Sequence, residues 1–153
     1  MQVDLAEAAK FYGMKSVPTI IVDRAPGDFP GFSASDGHIH IAPDTFRLRW
    51  TADLVKRVEK LGVGRLGHED QIRFEFAHEL WHAAQYERDP KGMLRKGIEL
   101  NIKMEMAELN NLLGMGNGDG ETVHDANPME QDADKHAAQA YKLVKLTRGT
   151  RQS

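Results

Sequence analysis

Two histidines and a glutamate carry the clearest chemical signal in the chain. In the run Phe74-Glu75-Phe76-Ala77-His78-Glu79-Leu80-Trp81-His82-Ala83-Ala84-Gln85, His78 and His82 stand four residues apart. On a helix that spacing sets both imidazoles about 40° apart on one face, one turn from each other. Both can point at a single metal ion without distorting the backbone, as zinc–nitrogen bonds of roughly 2.0–2.1 Å require. Glu79 projects about 100° around from His78, away from the same ion but within reach of a water on it. Zinc lowers the pKa of such a water to around 7, so a neighbouring carboxylate can take its proton as it attacks a carbonyl. With 7 histidines among 153 residues, chance supplies roughly 0.02 arrangements of this kind, so the spacing carries information. A plainer reading makes both histidines core residues satisfied by hydrogen bonds. Ala77, Leu80, Trp81 and Ala84 give the helix an apolar flank in either case.

Catalytic zinc normally has three protein ligands and one open position, so a third ligand must come from elsewhere in the fold. Glu130 and Asp134 are four residues apart in a second helical pattern. Measured from Glu130, helical-wheel angles put Ala133 near −60°, Asp134 near +40°, Ala137 near −20° and Tyr141 near +20°. Both acids therefore share an apolar face, while Lys135, Gln139 and Lys142 point away. Two acids on a buried face are costly unless something positive meets them. A zinc ion with its two histidines would answer for both: Glu130 as the third ligand, and Asp134 orienting the second ring nitrogen of a histidine. The alternative is a solvated acidic first turn favoured by the helix dipole. Asp132 and His136 lie on the other side of the wheel.

These residues need two helices to hold them. Asp89-Pro90 ends the first, which spans about Glu69 to Glu87. Asn127 followed by Pro128 opens the second, which is expected to reach about Leu146, with a frayed polar tail over 147–153. Between them, a helix is predicted from Gly92 or Met93 to Leu113, with Leu94, Ile98, Ile102, Met106, Leu109 and Leu113 on one stripe. A glycine-rich segment follows over 114–120. Upstream, Val3 to Met14 has loose helical spacing, and Val17 to Val22 reads as a short strand whose Pro18 suits an edge or a beginning. Asp36-Gly37 between Phe32–Ser35 and His38–Ile41 signals a hairpin. Thr51 can cap a helix carrying Leu54, Val55, Val58 and Leu61 that stops at Gly62. Strands early and helices late give an α+β fold. One domain is expected over 1–153: a sheet-containing part (1–65), a helical zinc-binding part (66–147) and a tail (148–153).

Composition narrows the function further. The 20 Lys and Arg against 23 Asp and Glu give a net charge of −3, no footprint for nucleic acid or an anionic membrane. No run approaches 18 apolar residues, and Asp4 and Glu7 stand where a secretory leader would carry its basic residues. A cytoplasmic protein is expected. The absence of cysteine removes disulfides, thiolate zinc sites and thiol catalysis.

His78-Glu79-x-x-His82 with a downstream helical Glu130-x-x-x-Asp134 resembles the gluzincin group of zinc metallopeptidases. The wording Ala-His-Glu-Leu-Trp-His-Ala-Ala-Gln, then Met-Glu-Gln-Asp-Ala-Asp-Lys-His-Ala, is most similar to the short ImmA/IrrE-type and phage-encoded minimal zincins. The resemblance covers roughly residues 70–145. It implies one zinc ion on His78, His82 and Glu130, Glu79 as catalytic base, Asp134 in support, and a protein or peptide substrate. It also implies a small sheet with an edge strand over the cleft, for which His38, Ile39, His40 and Ile41 are the candidates. The metzincin continuation would need glycine at 85 and histidine at 88, where Gln85 and Arg88 stand. The interval from His82 to Glu130 is longer than many gluzincins use, so an inserted helix must be accommodated.

Tyr141, His124 and Tyr86 are candidate donors to an oxyanion. Glu75, one turn before Glu79, can edge the cleft. His38 and His40 share one face of their strand and could pair on a second metal, although a half-solvated strand is the better explanation of the two. The expected activity is zinc-dependent peptide hydrolysis. Two rivals use the same residues: a non-catalytic protein-binding domain with a closed four-ligand site, and a hydrolase of a non-peptide amide.

Overall fold

Polar side chains set most of the helix starts. The Thr51 hydroxyl accepts the Leu54 N–H at 3.3 Å, Asp89 accepts that of Gly92 at 3.1 Å, and Asp119 accepts that of Thr122 at 2.9 Å. Asn127 accepts the Met129 N–H at 2.9 Å, just ahead of Pro128. The computed structural model describes residues 2–115 and 119–151. In chain order they form α1 (Gln2–Phe11), β1 (Ile20–Val22), β2 (Gly31–Ser33), β3 (His38–Ile41), a 3-10 turn (Thr45–Arg47), α2 (Ala52–Glu59), α3 (His68–Arg88), α4 (Pro90–Leu112), α5 (Gly120–Ala126) and α6 (Pro128–Arg151). The fold is α+β, mostly helical, with one three-stranded sheet. No helix among the described residues is long and apolar enough to cross a membrane.

α3 is the central element. From Phe74 to Ala84 every residue but Glu75 is buried, because α1, α4, α6, β2, β3 and the 3-10 turn all pack around it. One apolar cluster joins Leu5, Ala8 and Tyr12 of the N-terminal segment to Ile39, Phe76 and Leu80. A second joins Val58 and Val63 to Phe74, Ala77 and Ala137. The Tyr12 hydroxyl donates to the Ala77 carbonyl at 3.1 Å and satisfies its buried oxygen. Trp81 fixes α6 against α3: its indole N–H donates to Asp132 at 3.0 Å, and its ring stacks on His136 at 3.5 Å. Asp132 and His136 thus serve the helix contact, and Glu130 and Asp134 are left to face the other flank of α3.

The hairpin forms with Phe32 opposite Ile39, and its turn takes in Ala34 and Ser35 as well as Asp36 and Gly37. Gly37 has φ +75°, and a Cβ there would meet the Tyr86 ring at 3.2 Å. The strand order is β1-β3-β2, with β1 parallel and β2 antiparallel to β3. This corrects one expectation: His38–Ile41 is the central strand, bonded on both sides, and cannot be the edge strand. β1 takes one edge, as Pro18 suggested, and β2 takes the other. Ile39 and Ile41 point into the core, while His38 and His40 are half-buried on the opposite face. Both ring nitrogens of His40 are engaged, by Asp23 at 2.8 Å and Asp36 at 2.7 Å, so no second metal pair forms with His38.

Three further boundaries differ from the sequence reading. α4 starts at Pro90, since Asp89 is already its cap and proline suits the first helical turn. α5 was not anticipated; it follows a glycine-rich segment of which 116–118 lie outside the described residues. The backbone of α6 runs to Arg151, through most of the segment expected to be frayed. The apolar stripe of α4 also stays outside the core, which instead takes up Met93 and Leu100 from the other side of that helix.

Leu80 is fully buried at the centre of α3. Leu80→Ala is expected to cost about 2–5 kcal/mol in urea unfolding, through lost burial and the cavity left behind. A cost below about 1 kcal/mol would contradict this packing.

Candidate metal centre

Among the described residues the buried polar side chains are Thr45, His78, Glu79, His82, Glu130 and Asp134. Five of the six meet at one place. α3 contributes His78, Glu79 and His82, and the first turns of α6 contribute Glu130 and Asp134. Glu130 Oε2 lies 2.8 Å from His78 Nε2 and 3.1 Å from His82 Nε2, and the two imidazole nitrogens are 3.2 Å apart. The side chains of His78, His82 and Glu130 could hold a metal ion.

The geometry fits a small divalent cation. Three ligand atoms on a tetrahedral ion with bonds of roughly 2.0–2.1 Å sit about 3.3 Å from one another, close to the triangle seen here. The outer ring nitrogens also suit it. His78 Nδ1 is 2.7 Å from Asp134 Oδ1, and His82 Nδ1 is 3.1 Å from Gln85 Oε1. With those nitrogens donating outward, both Nε2 atoms turn lone pairs toward the same point as a carboxylate oxygen. Such a donor set calls for positive charge at its centre. Burial opposes a charged His78, but hydrogen bonds to Asp134 and Glu130 overrule it and raise its pKa well above the usual value. Burial likewise works against an ionised Glu130, and hydrogen bonds from His124, His78 and His82 hold its carboxyl far below the usual carboxylate range.

Glu79 stands beside this triangle, its Oε1 3.9 Å from His78 Nε2. Its Oε2 accepts the Phe32 N–H at 2.7 Å. That bond comes from the unpaired side of β2, so the edge of the sheet that reaches the site is β2 and not the strand expected from the sequence. An open cleft of about 670 Å³ leads to these groups, lined in part by Phe29, Leu54, Arg57, Glu75, His78 and Glu79. The volume lies within the range of small-molecule and peptide sites.

His124 of α5 reaches the mouth of the site, its Nε2 3.4 Å from Glu130 Oε2 and its Nδ1 3.1 Å from Asp125. The bond to Glu130, working against burial, pushes its pKa up to about 9. Glu75 does edge the cleft, and its partial burial, opposed by His78 and reinforced by Glu79, pushes its carboxyl up to about 7. Tyr141 is not brought to the site: its hydroxyl donates to Asp70 at 3.2 Å, and its ring packs on the second apolar cluster. Tyr86 is also elsewhere, with its ring against Phe32.

Sequence reasoning missed Arg57 and the Phe32 N–H. Arg57 Nε pairs with Asp134 at 3.3 Å and its Nη1 with Asp125 at 2.9 Å, so one guanidinium links α2, α5 and α6 behind His78. The only signal for it was its place beside Leu54 and Val58 at the margin of the apolar stripe of α2. A backbone N–H leaves no signal in the residue types.

No family model, curated protein or solved structure matches this chain.

If Asp134 orients His78 toward a cation, Asp134→Asn should weaken divalent transition-metal binding about 10–100-fold in a competition titration against a chromogenic chelator. Unchanged affinity would show that the contact has no part in binding.

Proposed function

We propose that this protein is a zinc-dependent metallopeptidase of minimal gluzincin architecture. The observation that carries the reading is the convergence of two imidazole nitrogens and a carboxylate oxygen from separate helices, with a second carboxylate beside them in an open cleft. His78, His82 and Glu130 would hold the ion. Bound there, zinc would polarise the scissile carbonyl and lower the pKa of the attacking water.

The remaining work falls to the chain itself. Glu79 would take a proton from the attacking water as its oxygen bonds to the carbonyl carbon, and pass that proton to the amine nitrogen as the C–N bond breaks. The Phe32 N–H holds Oε2 of Glu79, which leaves Oε1 on the side of the three ligands. Asp134 fixes the ring of His78, and Arg57 fixes Asp134. The segment leading into β2 borders the cleft through Phe29, and an extended peptide can lie beside it. His124 stands where an N–H donor could meet the oxyanion.

Glu79→Gln tests the assignment, because it keeps the shape of the side chain and removes the base. The variant should retain its zinc and lose peptide hydrolysis by about 10²–10⁴-fold, measured on a diverse peptide library. Undiminished hydrolysis would reject the mechanism.

A further inference from the structure

α4 has two apolar faces, and among the described residues only one of them packs on the body. Met93 and Leu100 are buried against the body. On the opposite side of the helix Leu94, Ile98, Ile102, Met106 and Leu109 are 42–59 % exposed, and Leu112, Leu113 and Met115 extend the same surface with 61–84 % exposure. These are eight of the fourteen large apolar side chains standing exposed among the described residues. They form a continuous stripe roughly 28 Å long, from Leu94 to Leu113. A monomer rarely leaves such a patch open, and its area is on the order of the ~800 Å² that each partner gives to a standard protein interface.

We propose that this stripe is the interface of a homodimer, packed antiparallel against the same stripe of a second copy about a two-fold axis near Ile102. The charges along α4 select that partner and that direction. Lys91, Arg95 and Lys96 lie toward its start and Glu105 and Glu108 toward its end. Glu99 and Lys103 stand between them, where antiparallel pairing sets Glu99 within a turn of both Lys103 and Glu105 of the other copy. A parallel pair would set each charge beside its own kind. An antiparallel pair brings Arg95 to the level of residue 109 of the other copy, within a turn of Glu105 there, while Glu108 is turned to α5, where it accepts the Gly120 N–H at 2.7 Å. Opposite charges flanking an apolar seam fix helix orientation in this way, and opposed helix dipoles add to the preference. The stripe lies on α4, away from the cleft residues, so pairing leaves the candidate site open.

Sedimentation equilibrium on the full chain at tens of micromolar should give twice the mass of the chain, and Ile102→Glu should give the monomer mass with an unchanged far-ultraviolet spectrum. The chain contains no cysteine, so single substitutions can report the geometry. Under oxidation Ile102→Cys should form a covalent dimer. Leu94→Cys should not, because the axis puts its two copies about 24 Å apart, beyond the roughly 4.4–6.8 Å Cα separation of a disulfide. A monomeric wild type, the stripe then serving a different protein or a lipid surface, would overturn the proposal. So would a dimer that survives Ile102→Glu, or cross-linking of Leu94→Cys as efficient as that of Ile102→Cys.

Discussion

Two carboxylates on the inward face of α6 impose the constraint to which the rest of the structure answers. Buried and unpaired, Glu130 and Asp134 would each cost several kcal/mol, and the helix could not dock. Cationic and hydrogen-bonding groups from three other elements meet them: His78 and His82 from α3, Arg57 from α2 and His124 from α5. The buried histidines gain in turn, since Asp134 and Gln85 satisfy the ring nitrogens that face away from the centre. Apolar packing holds α6 in place on either side. Trp81 and His136 clamp one flank, and Ala133, Ala137 and Ala140 let the helix axes approach closely enough for the polar atoms to touch.

Placing charge inside the core in this way sacrifices some stability for position. A hydrophobic replacement of comparable volume would often be neutral or favourable. The cluster therefore makes most sense as a built site: it opens to a cleft, a sheet edge reaches its free carboxylate, and its three inner atoms are spaced for one ion. The β2 backbone and the α3 side chain form a single unit there, because the bond from Phe32 to Glu79 ties the orientation of the carboxylate to the position of the strand. A shift of that edge would move the proposed base relative to the ligands.

Much of this was legible in the residues. Four-residue spacing put His78 beside His82 and Glu130 beside Asp134, because helical periodicity is a local property that packing rarely overrides. The capping residues Thr51 and Asn127 marked their helix starts for the same reason. Contacts set by tertiary assembly were not legible. His38–Ile41 has the alternation of an edge strand, yet it lies in the middle of the sheet, since strand order depends on how β1 crosses back to pair in parallel. Tyr141 has the right wheel angle but sits beyond Asp134 along the axis, where Asp70 takes its hydroxyl. The stripe on α4 was visible as periodicity, but periodicity does not say whether the covering surface belongs to the same chain.

The proposed chemistry depends on one bound ion. X-ray absorption at the zinc edge, on protein loaded with one equivalent of zinc, reads its surroundings directly. Two imidazole nitrogens and two oxygens in a four-coordinate shell at roughly 2.0–2.2 Å are the predicted result. A six-coordinate all-oxygen shell, or zinc that does not stay with the protein on dialysis, would contradict it.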